Sequence, residues 1–196
     1  FRYLTDPAAL DETVADPALD DSGWERAEVP GCWVMHGYDH PHYTNVQMPF
    51  AEMPPEVPAG NPTGVYRRTF TLPEAWAARR NVLHFDGAES CFLAFVNGQL
   101  VGGSKDSRGA TEFDLTGIAH AGENQLTVVV IKWSDGTFLE DQDHWYLPGL
   151  SRSVYLYSTP QPHIADLFAK STLKEHLTTA LLDLELFYGV PQLKAA

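Results

Sequence analysis

Residues 133–152 read WSDGTFLEDQDHWYLPGLSR, and the rest of the chain is organised around this stretch. It separates two runs with strand character, Asn124–Lys132 and Ser153–Tyr157. A long connection inside a compact β domain is usually either functional or disordered. Large aromatic side chains can bury enough apolar area to fix a segment in place, which argues against disorder. The stretch holds four of them among four carboxylates, namely Trp133, Phe138, Trp145 and Tyr146 with Asp135, Glu140, Asp141 and Asp143.

A fixed loop that offers both carboxylates and ring faces suits sugars as ligands. Ionised carboxylates accept strong hydrogen bonds from hydroxyls, and aromatic rings cover the apolar C–H face of a pyranose. The residues alone leave an alternative open. Charge runs are mostly solvated, so by composition alone an acidic surface loop whose aromatics belong to the core is the more common case.

Composition bounds the possible partners. The chain has 196 residues, 44% of them hydrophobic, which is enough for one domain with a real core plus a remnant. A net charge of −13 disfavours nucleic acid and anionic membranes as partners. No apolar run reaches the length of a bilayer and no secretory leader opens the chain, so we expect a cytoplasmic protein. The ends, Phe1 and Ala196, look like the cut ends of a larger protein. Cys32 and Cys91 are expected to be reduced thiols.

Strand signals dominate the middle of the chain. Residues 1–23 suggest a peripheral lead-in, Trp24–Val29 a first strand, and Cys32–Gly64 an irregular segment. Asn97-Gly98 predicts a tight hairpin turn, because a type I′ turn needs positive φ at both central positions. Pro73–Arg80 predicts one or two helical turns. The other predicted strands are Val65–Leu72, Asn81–Asp86, Cys91–Val96, Glu112–Leu115, Gln125–Lys132 and Ser153–Ser158. Many short antiparallel strands with turn-rich links indicate a sandwich or jelly roll.

The segment after residue 158 indicates a second unit. Ser158–Pro162 contains two prolines and is typical of a linker, so we place a domain boundary between residues 1–159 and 160–196. Beyond it, His163–Ser171 and Thr179–Tyr188 are predicted strands, the second alternating apolar and acidic residues as a half-buried strand does. A lone hairpin is marginally stable in water unless it packs against something.

Eight motifs, in order along the chain, carry a family resemblance. They are MHGYD (35–39), YTNV (43–46), NPTG (61–64), FDG (85–87), KDSR (105–108), EFDL (112–115), AGEN (121–124) and WSDGTFLEDQDHWYLPGLSRSV (133–154). Together they resemble the N-terminal region of family-two glycoside hydrolases, most closely the large bacterial β-galactosidases. The resemblance covers essentially the whole chain. It implies an all-β fold, with a jelly-roll, galactose-binding-like sandwich over residues 1–159 and the first strands of an immunoglobulin-like sandwich over residues 160–196.

The same resemblance implies site residues. Asn45 matches an asparagine that reaches the active site from this domain, and Val46 an apolar wall residue beside it. Asp143 matches the aspartate that contacts the galactosyl hydroxymethyl group and a monovalent cation, typically sodium. Without the resemblance, Asn45 would be assigned to an Asx turn and Asp143 to a loop salt bridge. The neighbouring acids Asp135, Glu140 and Asp141 are expected to hold the loop in shape, with Arg108 and Arg152 as candidate partners.

No catalytic residue is expected in this chain. In the family, the two catalytic glutamates and the magnesium ligands lie in a downstream α/β barrel, which needs roughly 250 residues. The resemblance implies that the intact enzyme is a homo-oligomer that uses sodium and magnesium and hydrolyses β-galactosides such as lactose with retention. The chain alone is expected to be inactive and to hold no cofactor tightly. The alternatives are a stand-alone carbohydrate-binding or oligomerisation module, or the same domain of a β-glucuronidase or β-mannosidase.

Several positions depart from the family or suggest a different site. Lys105 stands where relatives have a glutamine that helps to hold a peripheral metal ion, so that site is not expected here. His144 replaces an apolar neighbour of the site aspartate, and residues 146–148 also differ. His36, His40 and His42 have spacings that suggest a metal site, but ligands on an irregular loop lack rigid support, so a surface loop is the better interpretation.

Overall fold

The fold is almost entirely β structure. The structure, a computed structural model, describes residues 1–189, so the end of the predicted segment 160–196 lies outside the described residues. The strands are β1 (Arg2–Leu4), β2 (His42–Thr44), β3 (Thr63–Leu72), β4 (Arg80–Phe85), β5 (Cys91–Val96), β6 (Gln99–Ser104), β7 (Thr111–Asp114), β8 (Gly122–Ile131), β9 (His144–Tyr146), β10 (Val154–Thr159), β11 (His163–Leu173) and β12 (Ala180–Gly189).

The helical elements are short. One α-helix, α1, spans Gly136–Leu139. The 3-10 turns are Pro7–Ala9, Trp33–His36, Glu74–Trp76 and Glu175–Leu177. Within residues 1–189 no helix has the length and apolar character needed to cross a membrane.

Two antiparallel sheets form the main body. The larger has five strands in the order β1-β3-β8-β5-β6, and the smaller has three in the order β10-β4-β7. The non-sequential neighbours are crossovers of the kind found in Greek-key sandwiches. Two further two-stranded ribbons pair β2 with β9 and β11 with β12.

The core lies between the facing sides of the two sheets. Alternation along β5 buries Phe92, Ala94 and Val96, because successive side chains of a strand point to opposite faces. The ring of Phe85 in β4 packs against that of Phe92 at a tilt of 39°, with centroids 4.5 Å apart, and both are at most 1% exposed. The remaining buried members are Trp33, Leu83, Ala88, Leu115, Val128, Val130 and Leu150. The predicted all-β sandwich is confirmed.

Most predicted strands lie within a residue or two of the observed ones. The hairpin turn is also confirmed. Asn97 and Gly98 have φ of 52° and 79°, and Val96 pairs with Gln99 across the turn. Strand β6 begins directly after this turn, and its bounds were not among the strands predicted from the sequence. Pro73–Arg80 forms a single 3-10 turn, Glu74–Trp76. In the lead-in, Arg2–Leu4 forms edge strand β1 against β3, where no strand was predicted.

Trp24–Val29 is not a strand, and that prediction was wrong. A strand needs a ladder of backbone partners. In the described chain this run has a turn bond from the Trp24 amide to the Asp21 carbonyl, and a reciprocal pair between Glu25 and Phe1. The run lies along a cleft of about 970 Å³ that opens between β3 and β10, and these few bonds do not extend into a ladder.

The last two strands form a separate hairpin. β11 and β12 pair antiparallel over residues 163–189, as the sequence predicts, with a bulge between Ile164 and Asp166. Their side chains are almost all exposed, including Phe168 at 59% and Phe187 at 46%. In the described residues the hairpin therefore buries neither of its faces. The proposed domain boundary before residue 160 stays a prediction.

Both cysteines are free thiols. Cys91 opens β5 and is partly buried, and desolvation by burial raises the pKa of its thiol. A neutral, partly buried thiol is unreactive, which fits the expectation that Cys91 is reduced.

Candidate functional site

The ribbon of β2 and β9 brings together two segments that lie about 100 residues apart in sequence. His42 pairs with Tyr146, Tyr43 with Trp145 and Thr44 with His144. Thr44 and Tyr146 are buried on the face that points toward the protein, whereas Tyr43 and Trp145 are exposed on the other. The two exposed rings contact each other with centroids 5.4 Å apart. The ribbon thus has one anchored face and one aromatic face open to solvent.

The predicted site residues lie at one end of this ribbon. Asn45 directly follows Thr44, and Asp143 directly precedes His144, which is the ladder partner of Thr44. Continuing the antiparallel register by one residue sets Asn45 opposite Asp143. Both are exposed, as is Val46 at 80%. The structure therefore places all three at the same edge of the molecule.

Asp143 makes one hydrogen bond, which it accepts at Oδ1 from the Tyr43 hydroxyl. This bond is the main cause that raises the pKa of Tyr43. Among the described residues Asp143 forms no salt bridge, and the Asn45 amide forms no hydrogen bond. The two alternatives, a loop salt bridge and an Asx turn, are thus absent from residues 1–189. The turn at Asn45 is instead held by Thr44, whose hydroxyl donates to the Gln47 carbonyl.

Underneath the ribbon lies a buried lysine. Lys132 ends its strand region with a fully buried side chain, and its Nζ donates to Asp39 Oδ2 at 2.5 Å and to His42 Nδ1 at 2.7 Å. A third contact, to the His40 carbonyl oxygen, is 3.2 Å long. Three acceptors match the three donors of an ammonium group, so the charge is fully satisfied. Asp39 adopts a left-handed φ of 60°, a conformation that aspartate tolerates better than most residues.

Trp133 packs between this lysine and the aromatic side chains of the loop that follows it, residues 133–152. Its ring lies 4.9 Å from the Lys132 Nζ and packs against His42, Phe50 and Tyr146. The aromatics of the organising stretch thus divide between two roles. Trp133 and Tyr146 are buried support, whereas Trp145 is half exposed beside Asp143.

The other loop acids hold the loop in shape, as expected, but through different partners. Asp135 pairs with Lys105 at 2.7 Å, and Asp141 accepts from the Tyr146 hydroxyl at 3.0 Å. Glu140 accepts from the Ser107 amide at 2.7 Å and the Ser107 hydroxyl at 2.5 Å.

The arginine partners predicted for these acids were wrong. Arg108 bonds Glu89 at 3.0 Å, and Arg152 donates to the carbonyl of Arg108. Serine and tyrosine hydroxyls lie closer to the loop carboxylates, so the guanidinium groups serve a neighbouring junction.

The fit of metal ions can be judged from these contacts. Asp143 uses one carboxylate oxygen for Tyr43, which leaves the other available to a hard cation such as sodium. Asp39, His40 and His42 do bring three ligand atoms within 4.8 Å of one another. The ammonium of Lys132, however, already takes the Asp39 carboxylate and the His42 lone pair, so these residues do not fit a divalent ion. Lys105, which stands where relatives have a glutamine, is a cation and pairs with Asp135, so it cannot serve as a metal ligand there.

Sequence reasoning missed the ribbon and its anchor. Each strand of the ribbon has three residues, too few for the alternation that identifies a strand. The available signal was compositional, since Tyr43, Thr44, Trp145 and Tyr146 are aromatic or β-branched. Lys132 was assigned to the end of a strand, and nothing in its neighbours predicts a partner ninety residues earlier.

The family comparison matches residues 1–160 to the sugar binding domain of glycosyl hydrolases family 2. A protein from Psychromonas ingrahamii named beta-galactosidase is 50% identical over 173 residues, covering 88% of this chain and 17% of that protein. A beta-galactosidase from Yersinia pestis is 42% identical over 195 residues, covering 99% of this chain and 18% of that protein. The chain thus spans less than a fifth of the length of these relatives.

Solved structures share the fold. A Bacteroides uniformis β-glucuronidase aligns with a TM-score of 0.71 and 24% identity, covering 93% of this chain and 20% of that one. A β-glycosidase from Bacteroides vulgatus aligns with a TM-score of 0.71 and 22% identity, covering 98% of this chain and 24% of that one. At such identity the likeness concerns the fold alone.

Proposed function

The chain belongs to family 2 of the glycosyl hydrolases, as their N-terminal sugar-binding domain, and from this premise we propose that it is part of a retaining β-galactosidase. The intact enzyme would hydrolyse terminal β-D-galactosides such as lactose. Relatives named beta-galactosidase are 42–50% identical to the chain, whereas the β-glucuronidase structure is 24% identical, which supports galactoside over glucuronide. The catalytic glutamates would lie in the part of the enzyme beyond this chain.

The contribution of this chain would be one polar wall of the substrate site. The observation that supports this is the pairing of Thr44 with His144 at the end of the β2–β9 ribbon, because Asn45 directly follows Thr44 and Asp143 directly precedes His144. An amide both donates and accepts, and a carboxylate accepts from hydroxyls, so the pair suits a ligand rich in hydroxyl groups such as a sugar. Val46 would supply an apolar contact beside them. The exposed rings of Tyr43 and Trp145 would supply an aromatic surface next to the pair.

Asp143 would also be the cation ligand on this side of the site. It offers one oxygen that no described residue uses. Sodium would complete its shell with oxygens from the rest of the enzyme, and magnesium would be bound there entirely. We expect the intact enzyme to be a cytoplasmic homo-oligomer.

Asp143 also gives a physical reason to prefer galactosides to glucuronides. A carboxylate that faces the C6 hydroxymethyl group accepts its hydrogen bond. It would repel the C6 carboxylate of a glucuronide, because two like charges about 4 Å apart cost several kcal/mol in a partly desolvated site. Nitrophenyl β-galactoside should therefore be turned over far better than nitrophenyl β-glucuronide.

The test uses the full-length protein that contains this chain. Asn45→Ala and Asp143→Asn should each lower kcat/KM for nitrophenyl β-galactoside at least about tenfold, since each removes a polar contact from a desolvated site. Asp135→Asn, which alters an exposed pair in the same loop, is the matched control and should change kcat/KM less than twofold. Equal kcat/KM values in all four proteins would refute the assignment of these residues.

The competing function is a stand-alone carbohydrate-binding module, favoured by the exposed pair Tyr43 and Trp145. Under our proposal the chain holds only one side of the substrate site and should bind sugars weakly. The 196-residue chain should therefore bind galactose and lactose with a Kd of about 1 mM or poorer, a binding free energy of roughly 4 kcal/mol. A micromolar Kd by calorimetry would favour the module and count against our proposal.

A further inference from the structure

We propose that Lys132 is a positioning residue, which fixes the Asn45 turn to the sandwich by holding Asp39 and His42 beneath the ribbon. This proposal rests on the proposed function only in taking Asn45 to contact the substrate. The attachment of the ribbon by Lys132 is a property of this chain by itself. Lys132 directly follows β8, a central strand of the five-stranded sheet, whereas Asp39 and His42 lie on the segment that leads into Asn45.

The geometry shows why this contact sets the ribbon's position. Among residues 1–189, β2 pairs with no strand except β9, so side chains on its inner face are what connect it to the sandwich. The Lys132 Nζ reaches the segment before β2 through the Asp39 carboxylate and the His40 carbonyl, and β2 itself through His42 Nδ1. Three bonds from one immobile group define both distance and orientation. Asn45 follows His42 by three residues of this held backbone.

The buried ion pair between Lys132 and Asp39 makes the ribbon's attachment sensitive to the loss of either partner. A buried charge pair is costly to break by removing one partner, because the other is left uncompensated. Lys132 is 0% exposed and Asp39 7% exposed at their side chains. The pair of Lys105, which follows β6, with Asp135 is 59% and 44% exposed, and pairs of that kind contribute little. The chain therefore supplies its own matched control.

His42 makes the anchor sensitive to acid. Its Nδ1 accepts from the ammonium, so the ring must be neutral with its proton on Nε2. The charged and titratable groups around it are Lys132, His40 and Asp39. Burial first, then Lys132 and His40, lower the pKa of His42 from 6.5. Because the neutral form is favoured in the folded state, the anchor is complete above about pH 6.5 and weakens as the pH falls through the lowered value.

Hydrogen exchange of the 196-residue chain tests this without any ligand. In Lys132→Met, the amides of β2 and β9 should exchange at least about tenfold faster, while protection in β3, β5 and β8 changes less than threefold. Lys105→Met should leave both sets unchanged. Uniform loss of protection in both regions would make Lys132 a general stability residue, and unchanged ribbon amides would make it irrelevant to Asn45; either result overturns the proposal.

A second measurement remains decisive if Lys132→Met does not fold. In the wild-type chain, protection of the ribbon amides should fall as the pH is lowered from 7 to 5, relative to that of β8. His42→Asn keeps an acceptor at the position of Nδ1 but cannot be protonated, so in this variant the loss should disappear. A ribbon whose protection falls equally in both proteins would contradict the proposal. Since neither experiment involves sugar, their outcome is separate from that of the kinetic test of Asn45 and Asp143.

Discussion

Glu89 shows how a single buried carboxylate can join three parts of this fold. It is 4% exposed and accepts from the Leu147 amide and from the Arg108 guanidinium, each at 3.0 Å. Its backbone also forms a reciprocal bridge with Gly149. The end of the β9 loop, the residues after β6 and the start of β5 therefore meet at one side chain.

Glu89→Gln should lower the free energy of unfolding by about 1–3 kcal/mol. The amide of glutamine can still accept from Leu147, but its NH2 group then faces the Arg108 donor and leaves it unpaired. Urea unfolding measures the change. Glu123→Gln, at an exposed position of β8, is the control and should alter the free energy by less than about 0.5 kcal/mol. A Glu89 variant as stable as the control would show that the junction contributes nothing.

At the scale of elements, the outer face of the three-stranded sheet carries a charged network across β4, β7 and β10. His84 Nδ1 lies 2.8 Å from Glu112, and its Nε2 lies 2.8 Å from Asp86. Tyr155 stacks on the imidazole at 4.5 Å, and the Tyr157 hydroxyl donates to Glu112 at 3.0 Å. An imidazole with a carboxylate at each nitrogen is stabilised in its protonated form, because both nitrogens then donate.

Stability should therefore depend on pH through this network. Partial burial lowers the pKa of His84, but hydrogen bonds to Glu112 and Asp86 outweigh it and raise the pKa above 6.5. For Glu112, burial raises the pKa, and the bonds from His84 and Tyr157 outweigh it and lower the pKa below 4.5. The His84 contribution is present below pH 6.5 and is lost as the pH rises through the raised value. The Glu112 contribution is present above pH 4.5 and is lost as the pH falls through the lowered value.

His84→Gln should flatten the dependence of unfolding free energy on pH between 6 and 8. The variant lacks the titrating group, so the decline seen in the wild-type chain above pH 6.5 should be absent. Urea unfolding at half-unit pH steps measures it. His120→Gln removes an exposed histidine that no described carboxylate contacts, and its curve should follow that of the wild type. A wild-type curve without any decline in this range would refute the network's role.

At the scale of the whole molecule, the sandwich and the final hairpin differ in how they are held. The sandwich buries large side chains between its two sheets, whereas the side chains of β11 and β12 are exposed on both faces. Hydrophobic burial is the main stabilising term in folding, so little of the chain's stability resides in the hairpin. The hairpin instead presents apolar residues such as Leu167 and Phe168 to solvent.

Truncation of the chain after Thr159 should therefore leave the sandwich intact. The midpoint of thermal unfolding should change by less than about 3 °C, since less than about 0.5 kcal/mol of packing is lost. Near-ultraviolet circular dichroism of the core and ribbon aromatics gives an independent check on the fold. A drop of 10 °C or more would mean that the hairpin packs on the sandwich, and the boundary at residue 160 would then be wrong.

The strands of the sandwich were predictable because their signals are local. β5 alternates buried and less buried positions over six residues, and Asn97-Gly98 supplies the positive φ values that a tight turn needs. Trp24–Val29 has a weaker version of the same pattern and forms no strand. β5 and Trp24–Val29 differ in their neighbours, because a strand needs a second strand edge at hydrogen-bonding distance. β5 has β6 and β8 beside it.

The sequence alone determined the all-β class, the course of the main strands and, through its motifs, the family; the assignment of Asn45, Val46 and Asp143 to the site stays a prediction from the same motifs. Each of these depends on residues near one another in the chain. Only the tertiary structure decided how the site is held. The ribbon pairs strands of three residues from distant segments, and Lys132 finds Asp39 and His42 ninety residues away. Short strands carry no periodicity, and a buried ion pair needs only proximity in space, so neither leaves a pattern along the sequence.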